Sequence, residues 1–286
     1  MFKTIKLNKG YWQKKIPQLK YGVPDPLKIF SPNQAEFSEA LTSFNFSGVF
    51  KTTKAGRHKQ TQLFLKEQLN GFATAVSILD IGASDGSTSL DLVNLLQDGF
   101  SKYYVTDYNI RCTYVSYKGY TYFFNESNDC FLAVSQKFVC YPANRNLFNF
   151  LFGRQLAAVK DQPRQELLLI NKDLQKKQQA DQRIELMAYN VFEPWLKGKM
   201  DIVIAANLLN RAYFSDAQIE LALRNCYAAL NENGILVIIR NKLTDEGDEI
   251  EKSTLYKKDT VAGELIKIHE INEGIEINSF VRSLKF

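Results

Sequence analysis

Residues 77–90 constrain the fold of this chain more than any other stretch, because they join an apolar run to two closely spaced glycines. The apolar run ends at Ile81 and is typical of a buried strand, while the residues from Ser87 onward can begin a helix. Gly82 and Gly86 lie between the two, where glycine permits a tight turn and lets a ligand approach backbone N–H groups. The spacing matches neither G-x-G-x-x-G nor a phosphate-binding loop, because residue 87 is Ser and no Lys follows it. The segment predicts a strand, a turn and a helix that together can hold a small charged cofactor.

Four segments further along the chain also have the pattern of strands. They are residues 103–107, 183–192, 200–209 and 230–239. Their alternation with helical patterns predicts an α/β fold with a mostly parallel sheet and helices on both faces. The end of the chain is different, since residues 264–271, a turn at 272–274 and residues 275–286 predict an antiparallel β-hairpin.

The order of these segments resembles that of the class I S-adenosylmethionine (SAM) dependent methyltransferases. Residues 77–90 are similar to the first motif of that family, in which an apolar strand with an acid is followed by a glycine and then by an Asp-Gly pair. The resemblance covers roughly residues 75 to 286. It implies a Rossmann-like methyltransferase fold with SAM as the cofactor. It also implies methyl transfer as the activity, in which the cofactor carries the chemistry and the protein binds and orients it.

The resemblance implies a set of cofactor-binding residues. They are Asp80, Gly82, Ala83, Ser84, Gly86, Asp107, Asn190, Val191 and Asn207. Gly82 would form the turn against which the methionine part of SAM packs, and Gly86 would let the next helix begin close to the cofactor. Asp80 would brace this loop and reach the ammonium group through water. Asp107 would accept hydrogen bonds from both ribose hydroxyls, which suits a carboxylate because it can accept two bonds at once.

Two residues of this set depart from the family pattern. Ser84 stands where the family often has a glycine, and Asn190 stands where it usually has an Asp near the adenine amino group. Asn keeps a carbonyl acceptor for that bond, and it is also a common turn residue. Both departures are compatible with SAM binding. They also leave open the alternative that this protein has the methyltransferase fold but has lost cofactor binding.

Three polar residues are candidates for the catalytic site. Asn207 follows the fourth strand, at the rim toward which the methyl group would point, although it can equally serve a turn. Tyr213 lies in the loop after that strand and could face the acceptor. His58, one of two histidines, precedes a predicted helix and could be a general base for an oxygen nucleophile. The alternative for His58 is a solvent-exposed position on a basic turn.

Changes in sequence pattern divide the chain into an N-terminal region and a larger domain. Residues 1–70 form a proline-containing arm and a helical cap, and residues 71–286 form the SAM-binding domain. An insertion at 108–183 is longer than one crossover helix needs. The elements expected in the cap and the insertion are helices over 34–46 and 57–70, a hairpin over 112–141, an amphipathic helix over 144–160 and a polar helix over 163–182.

The insertion is rich in aromatic side chains, and three roles are open for them. They could form a lid over an apolar or aromatic acceptor. They could pack against the sheet or against a second subunit. They could also contact a membrane surface, which is the least favoured of the three.

Composition and charge argue against several classes of protein. The hydrophobic fraction is 45% and the longest apolar runs have the length of strands, so no membrane span is expected. The N-terminus lacks the apolar core of a signal peptide, and the four cysteines lack C-x-x-C spacing. We therefore expect a cytoplasmic protein with no metal site and no disulfide framework. The net charge of +5 is scattered along the chain, so nucleic acid is not the expected partner.

Two functional hypotheses follow from these features. The first is a SAM-dependent methyltransferase that acts on a small or medium acceptor, aromatic or amphipathic, and that can form a homodimer. The alternative is a methyltransferase-fold binding protein without catalysis, which acts on a partner through the insertion at 108–183. A third use of the same pocket is SAM chemistry other than methyl transfer.

Overall fold

The computed structural model describes residues 18–19, 24–46, 49–51, 54–69, 72, 74–142, 145–243 and 249–286. In chain order its elements are β1 (Gln18–Leu19), α1 (Gln34–Leu41), β2 (Asn45–Phe46), β3 (Val49–Phe50), α2 (Lys59–Gln68), β4 (Val76–Ile81), α3 (Ser87–Leu96), β5 (Phe100–Asp107), β6 (Arg111–Tyr117), β7 (Tyr120–Phe124), β8 (Cys130–Ser135), β9 (Phe138–Cys140), α4 (Arg145–Ala158), β10 (Gln165–Leu168), α5 (Lys172–Ala180), β11 (Ile184–Ala188), β12 (Met200–Ala206), α6 (Asp216–Ala229), β13 (Leu230–Leu243), β14 (Glu249–Asp259), β15 (Glu264–Ile271) and α7 (Asn278–Ser283).

The chain divides into two compact units, and the division differs from the predicted boundary at residue 70. Unit 1 contains Met1–Thr53 and Asn109–Asn171, and unit 2 contains Lys54–Tyr108 and Lys172–Phe286. Helix α2 therefore belongs to the larger unit instead of to a separate cap. The reason is its bonding, since a carboxylate of β14 accepts hydrogen bonds from the first backbone N–H groups of α2. Most of the predicted N-terminal arm, at residues 1–17 and 20–23, lies outside the described residues.

Unit 2 is built on a seven-stranded sheet in the order β11-β5-β4-β12-β13-β14-β15. The first five strands run parallel, and the last two run antiparallel to their neighbours. Alternate side chains of β12 point to opposite faces, so Val203 and Ala205 join one core with α6 while Ile204 lines the other face with α2 and α3. The predicted α/β fold, with a Rossmann-like, mostly parallel sheet, is confirmed.

The predicted C-terminal hairpin is in the wrong place. The antiparallel hairpin is formed by β14 and β15, and residues 278–283 are helix α7 instead of a strand. Gly274 has φ +68°, so the predicted turn exists, but it leads into a helix. Ile277 and Val281 lie four residues apart and are both fully buried, which is the spacing of one helical face.

Unit 1 contains a six-stranded antiparallel sheet in the order β1-β9-β8-β7-β6-β10. The predicted hairpin over 112–141 is thus part of a larger sheet, although its turn lies where expected, with the Asn125 N–H donating to Asp129 O at 3.0 Å. The predicted helix over 144–160 is confirmed as α4. The predicted helix over 163–182 is correct only in its second half, because residues 165–168 pair with β6 as strand β10.

The aromatic side chains of unit 1 mostly form its core. Phe123 of β7 packs on one face of the sheet against Phe44 at a ring distance of 5.1 Å, while Tyr122 packs on the other face against Phe152 at 6.0 Å. Strand alternation sends these neighbouring residues to opposite faces. The core-packing role is therefore confirmed for them, but Phe150 of α4 is 86% exposed.

No helix in the described part of the chain is long and apolar enough to span a membrane. All four cysteines are free thiols, and three of them are buried.

Two buried tyrosines allow a matched test of how much a hydrogen bond of a buried hydroxyl contributes to stability. Tyr122 and Tyr256 are both fully buried, but the hydroxyl of Tyr122 has no hydrogen-bond partner among the described residues, while that of Tyr256 donates to Asn278 Oδ1 at 2.8 Å. We expect Tyr122→Phe to leave the free energy of unfolding unchanged or raise it by about 1 kcal/mol, and Tyr256→Phe to lower it by about 1 kcal/mol. Urea denaturation of both variants measures this difference, and equal losses would contradict it.

Candidate functional site

The turn between β4 and α3 is held by three left-handed residues at alternating positions. Gly82, Ser84 and Gly86 have φ values of +70°, +59° and +74°. The Ala83 N–H donates to Thr106 O at 2.9 Å, which fixes the turn to the end of β5. Ser84 thus adopts a backbone conformation for which glycine is favoured.

Asp107 is the strand-end acid that this turn reaches. Its Oδ2 accepts a hydrogen bond from the Ser84 N–H at 2.9 Å. Gly82, Ser84 and Asp107 are each partly exposed, whereas Gly86 is buried. A glycine turn and an acid therefore lie side by side at the C-terminal ends of the parallel strands, which we call the carboxyl edge of the sheet. This is the arrangement of the predicted cofactor site.

Asp80 lies beneath this turn and points into the protein. It is 5% exposed, and its Oδ2 accepts hydrogen bonds from the Ser89 hydroxyl at 2.7 Å and from the Tyr103 hydroxyl at 3.1 Å. Burial raises the pKa of Asp80 to about 6, against these two hydrogen bonds, which lower it. Its link to Ser89 of α3 ties the strand to the helix on the far side of the turn.

His58 and Asn207 meet at a single side chain, that of Asn241 on β13. His58 Nε2 lies 2.7 Å from Asn241 Oδ1, and the same oxygen accepts the Asn207 amide Nδ2–H at 2.8 Å. The Asn241 N–H in turn donates to Asn207 Oδ1 at 2.7 Å. Two residues predicted for the catalytic site are thus joined by a third that the sequence analysis did not identify.

This network fixes the protonation of the His58 ring. Asn241 Nδ2 donates to Arg57 O at 3.4 Å, so its Oδ1 is the acceptor and His58 Nε2 carries the hydrogen. Burial, and then the positive charge of Arg57, lowers the pKa of His58 to about 4. The ring is therefore neutral near pH 7, with Nδ1 as its remaining acceptor. His58 is 2% exposed, which excludes the solvent-exposed alternative.

Glu251 of β14 positions the helix that carries His58. Its Oε1 accepts from the Thr61 N–H at 2.9 Å and its Oε2 from the Gln60 N–H at 3.1 Å, so it caps the N-terminus of α2. A cavity of about 10 Å³, the space of one water, lies behind this helix and is lined by both His58 and Asp80.

Arg57 is a further charged group at this edge. Its side chain is 13% exposed, and its Nη1 lies 4.0 Å from Glu249 Oε1. Burial lowers the pKa of Arg57, while the charges of Glu249 and Asp85 raise it. The sequence carries no motif for Arg57, Asn241 or Glu251, because their neighbours come from segments about 190 residues away.

Three other predicted site residues are not brought into this network. The Asn190 side chain is used locally, with Oδ1 accepting from the Phe192 N–H at 3.1 Å and Nδ2 donating to Glu193 Oε1 at 3.2 Å. Val191 is a core residue, 5% exposed. Tyr213 is 51% exposed.

The side chain of Leu208 packs close to Gly82. A Cβ added to Gly82 would lie 3.2 Å from Leu208 Cδ2. Glycine is thus required here by its positive φ and by the close approach of Leu208. The same contact places an apolar side chain against the turn on which the methionine part of SAM is expected to pack.

Comparisons with known proteins give matches among solved structures. No family model and no curated protein matches this chain. The citrinin polyketide synthase CMeT domain aligns with 77% of this chain and 43% of its own length, at 14% identity and a TM-score of 0.37. The SAM-dependent methyltransferase SibL in its apo form aligns with 66% of this chain and 38% of its own, at 14% identity and a TM-score of 0.32.

A third structure is that of SAM-bound CalS10, an amino pentose methyltransferase from Micromonospora echinaspora. It aligns with 70% of this chain and 64% of its own length, at 12% identity and a TM-score of 0.31. The chain therefore spans less than two thirds of each of these three proteins. At these TM-scores, the assignment of a function depends on the residues of the sheet edge itself.

Two glycines with the same backbone conformation test the packing of the turn. Gly56 and Gly86 both have φ +74°, but a Cβ on Gly56 would meet no atom within 4 Å, while one on Gly86 would lie 2.4 Å from Leu174 Cδ2. We expect Gly56→Ala to lower the free energy of unfolding by about 1 kcal/mol through backbone strain alone. Gly86→Ala should cost about 3 kcal/mol, because overpacking adds to that strain. Equal losses in urea denaturation would contradict the packing argument.

His58 and Asp80 should make opposite contributions to stability between pH 6 and pH 4. The folded-state pKa of His58 is lowered, so its contribution to stability is lost as the pH falls from about 6.5 to about 4. The folded-state pKa of Asp80 is raised, so stability is gained as the pH falls from about 6 to its ordinary value of 3.8. The two effects should nearly cancel in the wild type.

Single substitutions should separate these two effects. Relative to wild type, we expect the free energy of unfolding of His58→Gln to rise as the pH falls from 6 to 4, by about 1 kcal/mol per pH unit. Asp80→Asn should show the opposite slope. Urea denaturation at several pH values measures both, and parallel curves for the three proteins would show that neither pKa is shifted.

Proposed function

We propose that this chain is a SAM-dependent methyltransferase, with SAM bound at the carboxyl edge of the unit 2 sheet. The observation that carries the proposal is the hydrogen bond from the Ser84 N–H to Asp107 Oδ2, which joins the glycine turn after β4 to the acid at the end of β5. In open α/β sheets, ligands bind outside the carboxyl ends of the strands. The partly exposed backbone of Gly82 and Ser84 lies at that edge.

The donors and acceptors at this edge fit SAM. A carboxylate such as Asp107 can accept hydrogen bonds from two ribose hydroxyls while it also accepts one from a backbone N–H, because its two oxygens have about four lone-pair sites. The turn at 82–86 lies at the N-terminus of α3, where the positive end of the helix dipole suits an anionic carboxylate. Ala83 and Gly86 would hold the turn in shape. Asn190 and Val191 would border the adenine side.

In this proposal, SAM supplies a methyl group that its sulfonium activates for in-line attack. The residues of the chain bind, orient and exclude water. Asn207 is held in a left-handed conformation, at φ +56°, by its paired hydrogen bonds with Asn241. This fixes the loop that would face the acceptor. His58, neutral and bonded to the same amide, either orients Asn207 or accepts a proton through Nδ1, and Tyr213 would contact the acceptor from the loop after β12.

The acceptor in this proposal is a small or medium molecule, aromatic or amphipathic, and the protein is cytoplasmic. A neutral His58 favours an acceptor that loses a proton, such as a hydroxyl group. Homodimer formation and the absence of a nucleic acid partner remain predictions from the sequence.

A second candidate function is a binding protein of the same fold that does not hold SAM. The contact of Leu208 with Gly82 favours it, because that side chain takes up space against the turn. In this case the chain would act through unit 1, which contains most of the predicted insertion.

Calorimetric titration of SAM and of its demethylated product tests the proposal. We expect micromolar binding to the wild type, and binding at least tenfold weaker for Asp107→Asn, which is about 1.4 kcal/mol. Asp98→Asn is the matched control, because Asp98 lies just before β5, at the opposite edge of the sheet, with its side chain fully exposed. It should bind as the wild type does.

Leu208→Ala distinguishes the two candidate functions. Absence of SAM binding to the folded wild type would overturn the enzyme proposal. If Leu208→Ala then binds SAM, the side chain blocks a retained pocket, and the binding-protein function is favoured. If the wild type binds SAM and Leu208→Ala binds with similar affinity, Leu208 moves aside at little cost.

A further inference from the structure

The outward side of helix α4 in unit 1 carries exposed apolar residues. Leu147, Phe150 and Leu151 are 37%, 86% and 39% exposed, and Arg154 continues the same row. Their spacing of three and four residues places them on one side of the helix. We call these four residues the α4 outer face.

The opposite side of α4 accounts for the folding of the helix. Phe148 and Phe152 are 5% and 4% exposed and belong to the core formed with β7 and β8. Phe152 lies 5.1 Å from Tyr120, ring to ring, and 6.0 Å from Tyr122. Since one apolar row already anchors α4 to its sheet, the second row needs another explanation.

The charges around the outer face are positive. Helix α4 contains two arginines and no acid, and residues 130–160 as a whole contain four cations and no Asp or Glu. A groove of about 720 Å³ runs beside Phe150 and Leu151, and its lining includes Lys118 and Arg154 but no acid. Lys118 comes from the turn between β6 and β7, so the positive charge is contributed by two separate segments.

We propose that the α4 outer face binds the surface of an anionic lipid bilayer, with Phe150 inserted at the boundary of the acyl chains. Surfaces that lie on a membrane often combine an exposed aromatic side chain with cations beside it, and Phe150 has this arrangement with Arg154 and Lys118. Lys118 and Arg154 would lie at the level of the headgroups. This inference is independent of the proposed function, because it uses only residues of unit 1.

Charge favours a membrane over a second copy of the chain as the occupant. In a symmetric dimer through this face, both copies would bring the same positively charged patch, with Arg154 and Lys118, into the interface, and the two like-charged patches would repel. A lipid bilayer of phosphatidylglycerol offers the opposite charge at its surface and an apolar interior for Phe150.

Flotation of the full chain with lipid vesicles tests the proposal. We expect binding to vesicles of phosphatidylcholine with 30% phosphatidylglycerol, and binding at least tenfold weaker to pure phosphatidylcholine. Phe150→Ser should weaken the binding about tenfold, because the variant lacks the large apolar side chain whose transfer from water into the bilayer favours binding. Arg154→Gln should weaken it about fivefold, and only on the anionic vesicles.

Leu196→Ser is the matched control, because Leu196 is 88% exposed and belongs to unit 2. It should leave the binding unchanged. Phe150→Trp gives a second readout, since its fluorescence should shift to shorter wavelength when anionic vesicles are added. Circular dichroism verifies that each variant is folded.

Three outcomes would overturn the proposal. Wild-type chain that does not float with anionic vesicles is the first. Equal effects of Phe150→Ser and Leu196→Ser, or no fluorescence shift for Phe150→Trp, is the second. The third is a dimer in solution that Phe150→Ser dissociates without vesicle binding by the wild type, which would assign the face to self-association.

Discussion

The left-handed turn after β4 is the constraint on which the rest of unit 2 depends. Three residues with positive φ bring the chain from the centre of a parallel sheet into helix α3 within five positions. A wider turn would separate Ser84 from Asp107 and Asp80 from Ser89, and these two hydrogen bonds join β4, β5 and α3. Non-glycine residues resist this conformation, so Ser84 indicates that the surrounding packing outweighs a local cost of about 1 kcal/mol.

Polar groups buried near this turn are satisfied by residues that are distant in sequence. His58, Asn207 and Asn241 come from three segments and share one amide oxygen. A buried amide or imidazole without partners is costly, so such a cluster is stable only when every member is placed correctly. The cluster links the N-terminus of α2 to the ends of β12 and β13. Its formation explains why α2 belongs to the sheet unit and not to a separate cap.

The sequence predicts the parallel strands and the turn well, because each buried strand is a continuous apolar run and the positions of Gly82 and Gly86 are local signals. It also places Asp107 correctly beside the turn. It fails where tertiary pairing decides the structure. Residues 278–283 become a helix because Ile277 and Val281 share a buried face, and residues 165–168 become a strand because β6 offers a free edge. Asn241 gives no local signal, since its role arises only when α2 and β12 meet it.

The interleaved division of the chain has a consequence for the order of assembly during synthesis. Unit 1 is complete once residue 171 has been made, whereas unit 2 must wait for strands β11 to β15. Strand β1 pairs with β9, about 120 residues later in the chain. It therefore remains unpaired until β9 has been synthesised. While it waits, the ribosome-bound chain already contains β4 and β5, two adjacent strands of the later sheet with one unpaired edge each. The antiparallel unit is therefore the first for which all residues have been made, and the pairing of β6 with β10 brings together the chain segments that lead from β5 and toward β11.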